Sequence, residues 1–248
     1  IIITGSNAKL LSAELATYLT GRHEPITLYP FSFKEYCLFK NVDINKITAS
    51  SEGARRQAFD DYLNQGGFPE LLKVKNGTRY ISALVDNILK RDIEKRYNIR
   101  YTLAFENLAH HLLNIAPAII DYKSLSEILG INASHTTEND IKHLNDAFVI
   151  RLLHKYSTKS KQRIVDSKVY AVDVAFLSER EDAIVGENLG WRLETMVYIE
   201  LLRRHTPLGH NIFYYKKRPK TEEADFVVCK KNKVFHIIYL IIRRAIVN

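Results

Sequence analysis

The first seven residues constrain the chain most. Ile1-Ile2-Ile3 is a run of β-branched apolar side chains, and Thr4-Gly5-Ser6-Asn7 follows as a small polar cluster. Such a run fits a pleated, buried surface, so it reads as a short strand ending in a polar loop. From Ala8 to Arg22 the period changes. Leu11, Leu15 and Tyr18/Leu19 fall on one helical face, Gly21 is placed to stop the helix, and Arg22 lies just past it. In open α/β sheets ligands sit beyond the carboxyl ends of the strands, which makes Ser6 and Asn7 candidate site residues. A polar loop of no further role fits the same pattern.

The stretch IIITGSNAKLLSAELATYLTGR resembles the sensor 1 strand and following helix of a bacterial or archaeal AAA+ ATPase. The branch it resembles carries a nuclease-like domain of unknown function behind its ATPase module. That resemblance implies that Asn7, or Ser6, faces the γ-phosphate and its attacking water. It also implies that Arg22 acts as an arginine finger offered to a neighbouring subunit, and that ATP and Mg²⁺ serve the full-length family. The phosphate loop and the Walker B acid lie upstream of this strand in that family. A phosphate loop needs G-x-x-x-x-G-K-[ST], because its glycines bring backbone N–H groups onto the phosphates and its Lys reaches the β/γ oxygens. No such run surrounds any of the ten glycines. The chain, which opens on Ile rather than Met, therefore reads as a piece of a larger protein or the product of a broken gene. No cofactor is expected for it alone.

With 248 residues, 46% of them hydrophobic and 26% charged, the chain can bury real cores and is not of disordered composition. The formal charge of +8 leans toward polyanion partners, a lean shared by many proteins that bind none. Cys37 and Cys229 lie far apart and fit reduced, buried thiols in a cytosol better than a disulfide frame. There is no signal peptide and no apolar run of about 18 residues, so a membrane partner is not expected and a cytoplasmic location is.

Beyond Arg22, Ile26 to Tyr29 reads as a short strand closed by Pro30. Ser32-Phe33-Lys34-Glu35 is a capping box, with Phe31 and Tyr36 as its hydrophobic staple. A helix over Glu52 to Leu63 stops at Gly66-Gly67, and GGFPELL is similar to the AAA+ family's turn into its lid. A helix C-cap explains those glycines better than nucleotide contact. Tyr80, Ile81, Leu84, Val85, Ile88 and Leu89 predict a long helix from about Thr78 to Arg96. Its end, Lys90 to Tyr97, mixes charges of both signs and reads as a solvated face with i,i+4 pairs.

From Thr102 to about Ile164 the pattern is that of a winged helix. Phe105, Leu108, Leu112 and Leu113 mark a first helix, and Ser124-Leu125-Ser126-Glu127 a capping box for a second that Gly130 ends. A third, Ser134 to Ala147, turns Thr137, Ile141 and Leu144 inward and His135, Glu138, Asn139, Lys142 and His143 outward. Phe148 to Tyr156 and Lys168 to Val174 are strands flanking a basic turn, the candidate wing. Such folds place the third helix in a DNA groove and use basic side chains on phosphates. The candidate nucleic-acid contacts are Lys142, His143, Lys159, Lys161 and Arg163, with the wing more cationic than the helix. Protein packing is the other use of such a module.

The tail carries two acids. Asn188 to Arg204 is a helix in which Glu194 shares an arc with Val197, Tyr198 and Leu201, and a carboxylate on an apolar arc needs a partner. Ile212 to Lys216 and Glu223 to Val228 are strands, the second presenting Asp225 near its start. GWRLETMVYIELLRR with EADFVV is similar to the first two motifs of the PD-(D/E)XK nuclease fold in the tail of that ATPase branch. In that fold a carboxylate pair holds Mg²⁺, and an acid-x-Lys on the next strand completes the site. Here that strand, Val234 to Ile242, holds no Asp, Glu or Lys, so Glu194 and Asp225 form a degenerate pair, no metal site is assigned, and a structural salt bridge for Glu194 is the preferred reading. The nine histidines read as scattered.

The expected architecture is thus α/β and multidomain. Residues 1–97 are a partial AAA+ P-loop ATPase module, 98–175 a winged helix, and 176–248 a restriction-endonuclease-like α/β tail that looks incomplete. The resemblance implies the C-terminal part of an ATP-binding AAA+ protein, unable to hydrolyse ATP by itself. Its partners would be DNA, further copies of the chain or another protein. A winged-helix DNA-binding module with a degenerate nuclease-like domain is the alternative.

Overall fold

Residues 26–130, 134–157, 167–179, 189–217, 222–231 and 233–240 are described by the computed structural model. Ser6, Asn7 and Arg22, with the expected first strand and helix, lie outside the described residues, as do Lys159, Lys161 and Arg163 of the basic turn. The expected strand at Ile26–Tyr29 is not formed. Ile26 and Leu28 are 79% and 87% exposed, and no described strand pairs with them. A β-run without a partner leaves its ladder groups unmatched, so local propensity alone does not make it a strand.

Helix α1 (Phe33–Phe39) starts at the expected capping box: Glu35 N donates to Ser32 Oγ at 3.2 Å, and Ser32 N donates to Glu35 Oε2 at 2.7 Å. The Phe31 ring sits beside Phe39 (6.0 Å between centroids), whereas Tyr36 turns inward onto Tyr62 (5.3 Å). Helix α2 (Ala49–Gln65) is capped by Thr48 and Ser51 and packs Ala58 and Tyr62 against Tyr36 and Cys37. Both cysteines are buried free thiols.

Helix α3 (Gly77–Asn87) is opened by Asn76 and continues through a π-helical turn, Ile88–Glu94, into Lys95–Tyr97. Ile81, Val85, Leu89 and Ile93, four residues apart, are all buried. The charged end is less solvated than its sequence suggests. Lys90 reaches Glu106 of the next helix at 3.8 Å, while burial, and then the neighbouring Glu106, raise the Glu94 carboxyl above the ordinary range.

Helix α4 (Thr102–Ile115) buries Phe105, Leu108, Leu112 and Leu113 as expected, and leads to the short strand β1 (Ala118–Ile119). Helix α5 (Tyr122–Ile128) starts earlier than the Ser124 box predicts. Asp121 caps it, accepting from Lys123 N at 3.0 Å and Ser124 N at 3.3 Å. Ser126 is buried instead, donating to Tyr122 O (2.8 Å) and lying 2.9 Å from Thr137 Oγ1. Helix α6 (Ser134–Asp146) turns Thr137, Ile141 and Leu144 into the core.

Strands β2 (Ile150–Lys155) and β3 (Ser167–Ala171) pair antiparallel, and β1 adds to the outer side of β3. Helix α7 (Leu189–His205) then crosses the sheet, and β4 (Asn211–Lys216) lies parallel to β2, with His154 opposite Phe213 and Lys155 opposite Tyr214. Strands β5 (Glu223–Lys230) and β6 (Lys233–Ile238) follow antiparallel, giving the order β1-β3-β2-β4-β5-β6. The hairpin preceding α7 and the three strands following it therefore belong to one sheet. Alternation splits its side chains: Ile150, Val169 and Ala171 pack on the α4 and α6 layer, whereas Leu153, Tyr170, Tyr214, Phe226 and Val228 pack on α7.

Candidate functional site

Glu194 sits in the middle of α7 over the sheet and does not stand alone. Lys168 on β3 places its Nζ 3.1 Å from Glu194 Oε1, and the Tyr170 hydroxyl donates to the same oxygen at 2.6 Å. Both charged side chains are largely buried, at 11% and 15% exposure. Burial, and then the Glu194 charge, push the Tyr170 phenol far above its usual range, so it remains a donor. The Lys168 ammonium also lies 5.7 Å from the centre of the Tyr214 ring. Asp225 on β5 is engaged differently, its Oδ2 accepting from Leu240 N at 2.7 Å. Among the described residues no group of three or more His, Cys, Asp or Glu is placed to hold a metal ion. Glu194 is thus held in a buried ion pair and Asp225 by a backbone N–H.

A second cluster joins residues 30–67 to the body, and it turns on Asp173, in the bend after β3. Gly67 N donates to both Asp173 oxygens (3.0 and 3.2 Å), and Ala175 N donates to Oδ1 at 2.8 Å. Desolvation raises this carboxyl to about 6, with the two backbone donors acting in the opposite sense. Gly66, the C-cap of α2 at φ +82°, packs so closely that a Cβ there would lie 1.9 Å from Asp173 Oδ1. These glycines thus form the helix cap expected of them, with close approach as a second requirement. Arg192 of α7 donates to Leu63 O (2.9 Å), Asn64 O (3.3 Å) and Val174 O (3.4 Å), covering the open carbonyls at the end of α2. Arg203 donates to Pro30 O at 2.7 Å.

On α6, His135, Glu138, Asn139 and Lys142 are exposed, as expected. His143 is half-buried, its ring stacked 3.6 Å from that of Tyr97, and burial lowers its pKa below the ordinary value. Asp140, buried on the same helix, is raised to about 6 by desolvation. Three histidines read as scattered come together at the end of α7. His205 Nδ1 lies 2.9 Å from His210 Nδ1, and the His236 ring is 5.8 Å from that of His205. Sequence reasoning did not single out Lys168, Tyr170, Asp173 or Arg192. The available signal was Asp173 itself, a lone acid within the apolar run Val169–Phe176.

The fold is thus a mixed α/β body with a helical segment latched to one end through Asp173 and Arg192. The chain belongs to the family described as a domain of unknown function, DUF8612, whose model matches residues 56–182. Both sides of the latch, Gly66-Gly67 and Asp173, fall inside that span. A second family model, described as an AAA domain, matches residues 1–37. The chain is 32% identical over 241 residues to an uncharacterized protein of Methanocaldococcus jannaschii, covering 94% of this chain and 53% of that one. It is 31% identical over 246 residues to an uncharacterized protein of Haemophilus influenzae, covering 96% and 58% respectively. The chain therefore spans about half the length of the curated relatives it matches. No solved structure matches it.

Proposed function

We propose that this chain is the distal part of an AAA+ ATP-binding protein: the nucleotide-sensing end of the ATPase module followed by a body that the module moves. The observation that carries this reading is the AAA-domain match over residues 1–37, which runs directly into the segment latched to the body. In this reading Asn7 or Ser6 faces the γ-phosphate and Arg22 reaches a neighbouring subunit. ATP is gripped by a phosphate loop that no run in these 248 residues provides, so the chain alone does not turn over ATP. Mg²⁺ enters with the nucleotide of the longer protein.

A chimera tests the assignment. The chain replaces the matching stretch of the M. jannaschii relative, and Mg²⁺-dependent phosphate release is measured. Turnover that falls at least tenfold with Asn7→Ala and with Arg22→Ala supports the reading. A folded chimera that is inert, or whose turnover ignores both substitutions, sinks it.

A second reading is favoured by the order α4, α5, α6 and the β2–β3 hairpin, which is the succession of a winged helix. In it Lys142, Lys159, Lys161 and Arg163 contact DNA phosphates, and the tail is a degenerate nuclease-like domain whose Glu194 is held by Lys168. A mobility shift that weakens steeply with salt, and weakens further with Lys159→Ala and Lys161→Ala, is the expected signature. Indifference to those substitutions removes the wing from the proposal.

A further inference from the structure

The junction held by Asp173 and Arg192 encloses a cleft of about 370 Å³, a size that accommodates a small organic ligand. One wall comes from α1 and α2 and the other from α7 and the bend after β3, so an occupant touches both sides of the latch. The floor is apolar, built by Phe33, Tyr62, Met196 and Ile199. Four cations line the cleft, Lys34, Arg55, Arg203 and Arg204, against two carboxylates, Glu200 and Asp173.

The hydrogen bonds show how much of that charge is committed. Asp173 is taken up by the Gly67 and Ala175 N–H groups. Glu200 accepts from Arg204 Nε at 2.6 Å and from one terminal nitrogen of Arg203, whose other terminal nitrogen donates to Pro30 O. Arg55 donates through one terminal nitrogen to Lys46 O. A guanidinium has five N–H donors, so among the described residues the two terminal nitrogens of Arg204 and one of Arg55 still have donors to offer. The Lys34 ammonium has no partner among the described residues. Forks from α2 and α7 that line one cleft with an apolar floor match a phosphoryl group better than a carboxylate. A phosphoryl group presents three oxygens and up to two charges to bidentate donors.

We propose that this cleft binds an organic phosphate, with the phosphoryl group between Arg55 and Arg204 and an apolar or aromatic body on the Phe33–Met196–Ile199 floor. Because it bridges the two sides of the latch, its ligand tightens the junction. The chemical class spans nucleotides and simpler aryl or alkyl phosphates.

Titration calorimetry of the full chain with phenyl phosphate, inorganic phosphate and phenol tests the proposal. Phenyl phosphate is expected to bind at one site with a Kd on the order of 0.1 mM, at least about tenfold tighter than either fragment. Arg55→Gln and Arg204→Gln should each weaken it at least fivefold. Arg79→Gln, on the exposed side of α3, should leave it unchanged. Arg204 is exposed and Arg55 partly so, so both variants should fold, and a circular dichroism melt checks this. AMP as a fourth ligand separates the sources: binding tighter than phenyl phosphate assigns a nucleotide, and weaker binding assigns a simpler phosphate. No heat with phenyl phosphate at about 5 mM, or affinity unmoved by both arginine substitutions in folded protein, overturns the proposal.

Discussion

Gly66→Ala is the sharpest perturbation of the latch. Gly66 has φ +82° and ψ −172°, a region that residues with a Cβ reach only under strain of about 1–3 kcal/mol. The new Cβ would lie 1.9 Å from Asp173 Oδ1, 2.8 Å from Ala175 Cβ and 2.9 Å from Ala175 N. Two of those neighbours are short or backbone groups that cannot swing away, so overpacking adds about 1–3 kcal/mol. The sum is about 2–6 kcal/mol. Trp191 is the chain's sole tryptophan and sits beside Arg192, which holds the end of α2, so its fluorescence reports on this junction. In urea the unfolding midpoint should fall by about 0.7–3 M, taking a slope of about 2–3 kcal/mol per molar. In an Asp173→Ala background the closest clash is gone. The same glycine substitution should then cost about 1–2 kcal/mol less, the coupling expected of groups in contact. A Gly66→Ala midpoint within about 0.2 M of wild type, or strict additivity in the cycle, refutes the latch.

Three further outcomes follow from the buried charges. Lys168→Met should cost about 3–4 kcal/mol by leaving Glu194 buried without its cation, and adding Glu194→Gln should recover at least half of it; a double variant no better than the single refutes the ion pair. Asp140 is raised to about 6 from 3.8, so its contribution is fully present below pH 3.8 and is lost as pH rises through about 6. Asp140→Asn should therefore stabilise the chain at pH 8 by up to about 3 kcal/mol and change little at pH 4, and equal effects at both values by urea melts refute this. Burial first, and then His210, His236 and Arg204, hold His205 below 6.5, so its neutral form is favoured and its contribution is lost as pH falls through the folded value. Its ring protons in NMR should show a midpoint under 6.5, and a midpoint at or above 6.5 contradicts the clustering of the three rings.

Periodicity made the helices legible. The spacing of Ile81, Val85 and Leu89 located α3, and the arc of Glu194 with Tyr198 and Leu201 identified a carboxylate in need of a partner. What periodicity does not carry is who answers across the fold. Lys168 precedes Glu194 by 26 residues on a strand whose alternation points it inward, and nothing local couples the two. The parallel pairing of β2 with β4 has no turn signature, so the hairpin before α7 and the strands after it read as separate units although they share one sheet. Ile26 to Tyr29 failed for the converse reason, since apolar residues suggested a strand where no described strand pairs. At Ser124 a local motif lost to a better acceptor, Asp121, which serves two N–H groups. His205, His210 and His236 lie 5 and 26 residues apart, with no ligand-like spacing to announce their meeting. The cleft was equally silent, because its arginines come from α2 and α7, and only packing brings them together.

The most direct test of the central claim is phosphate release from Mg²⁺·ATP by the purified chain alone. The account predicts no turnover above the buffer blank at any protein concentration, because the sequence holds no G-x-x-x-x-G-K-[ST] run. Turnover that rises in proportion to the chain, and that persists through a second purification step, would contradict it.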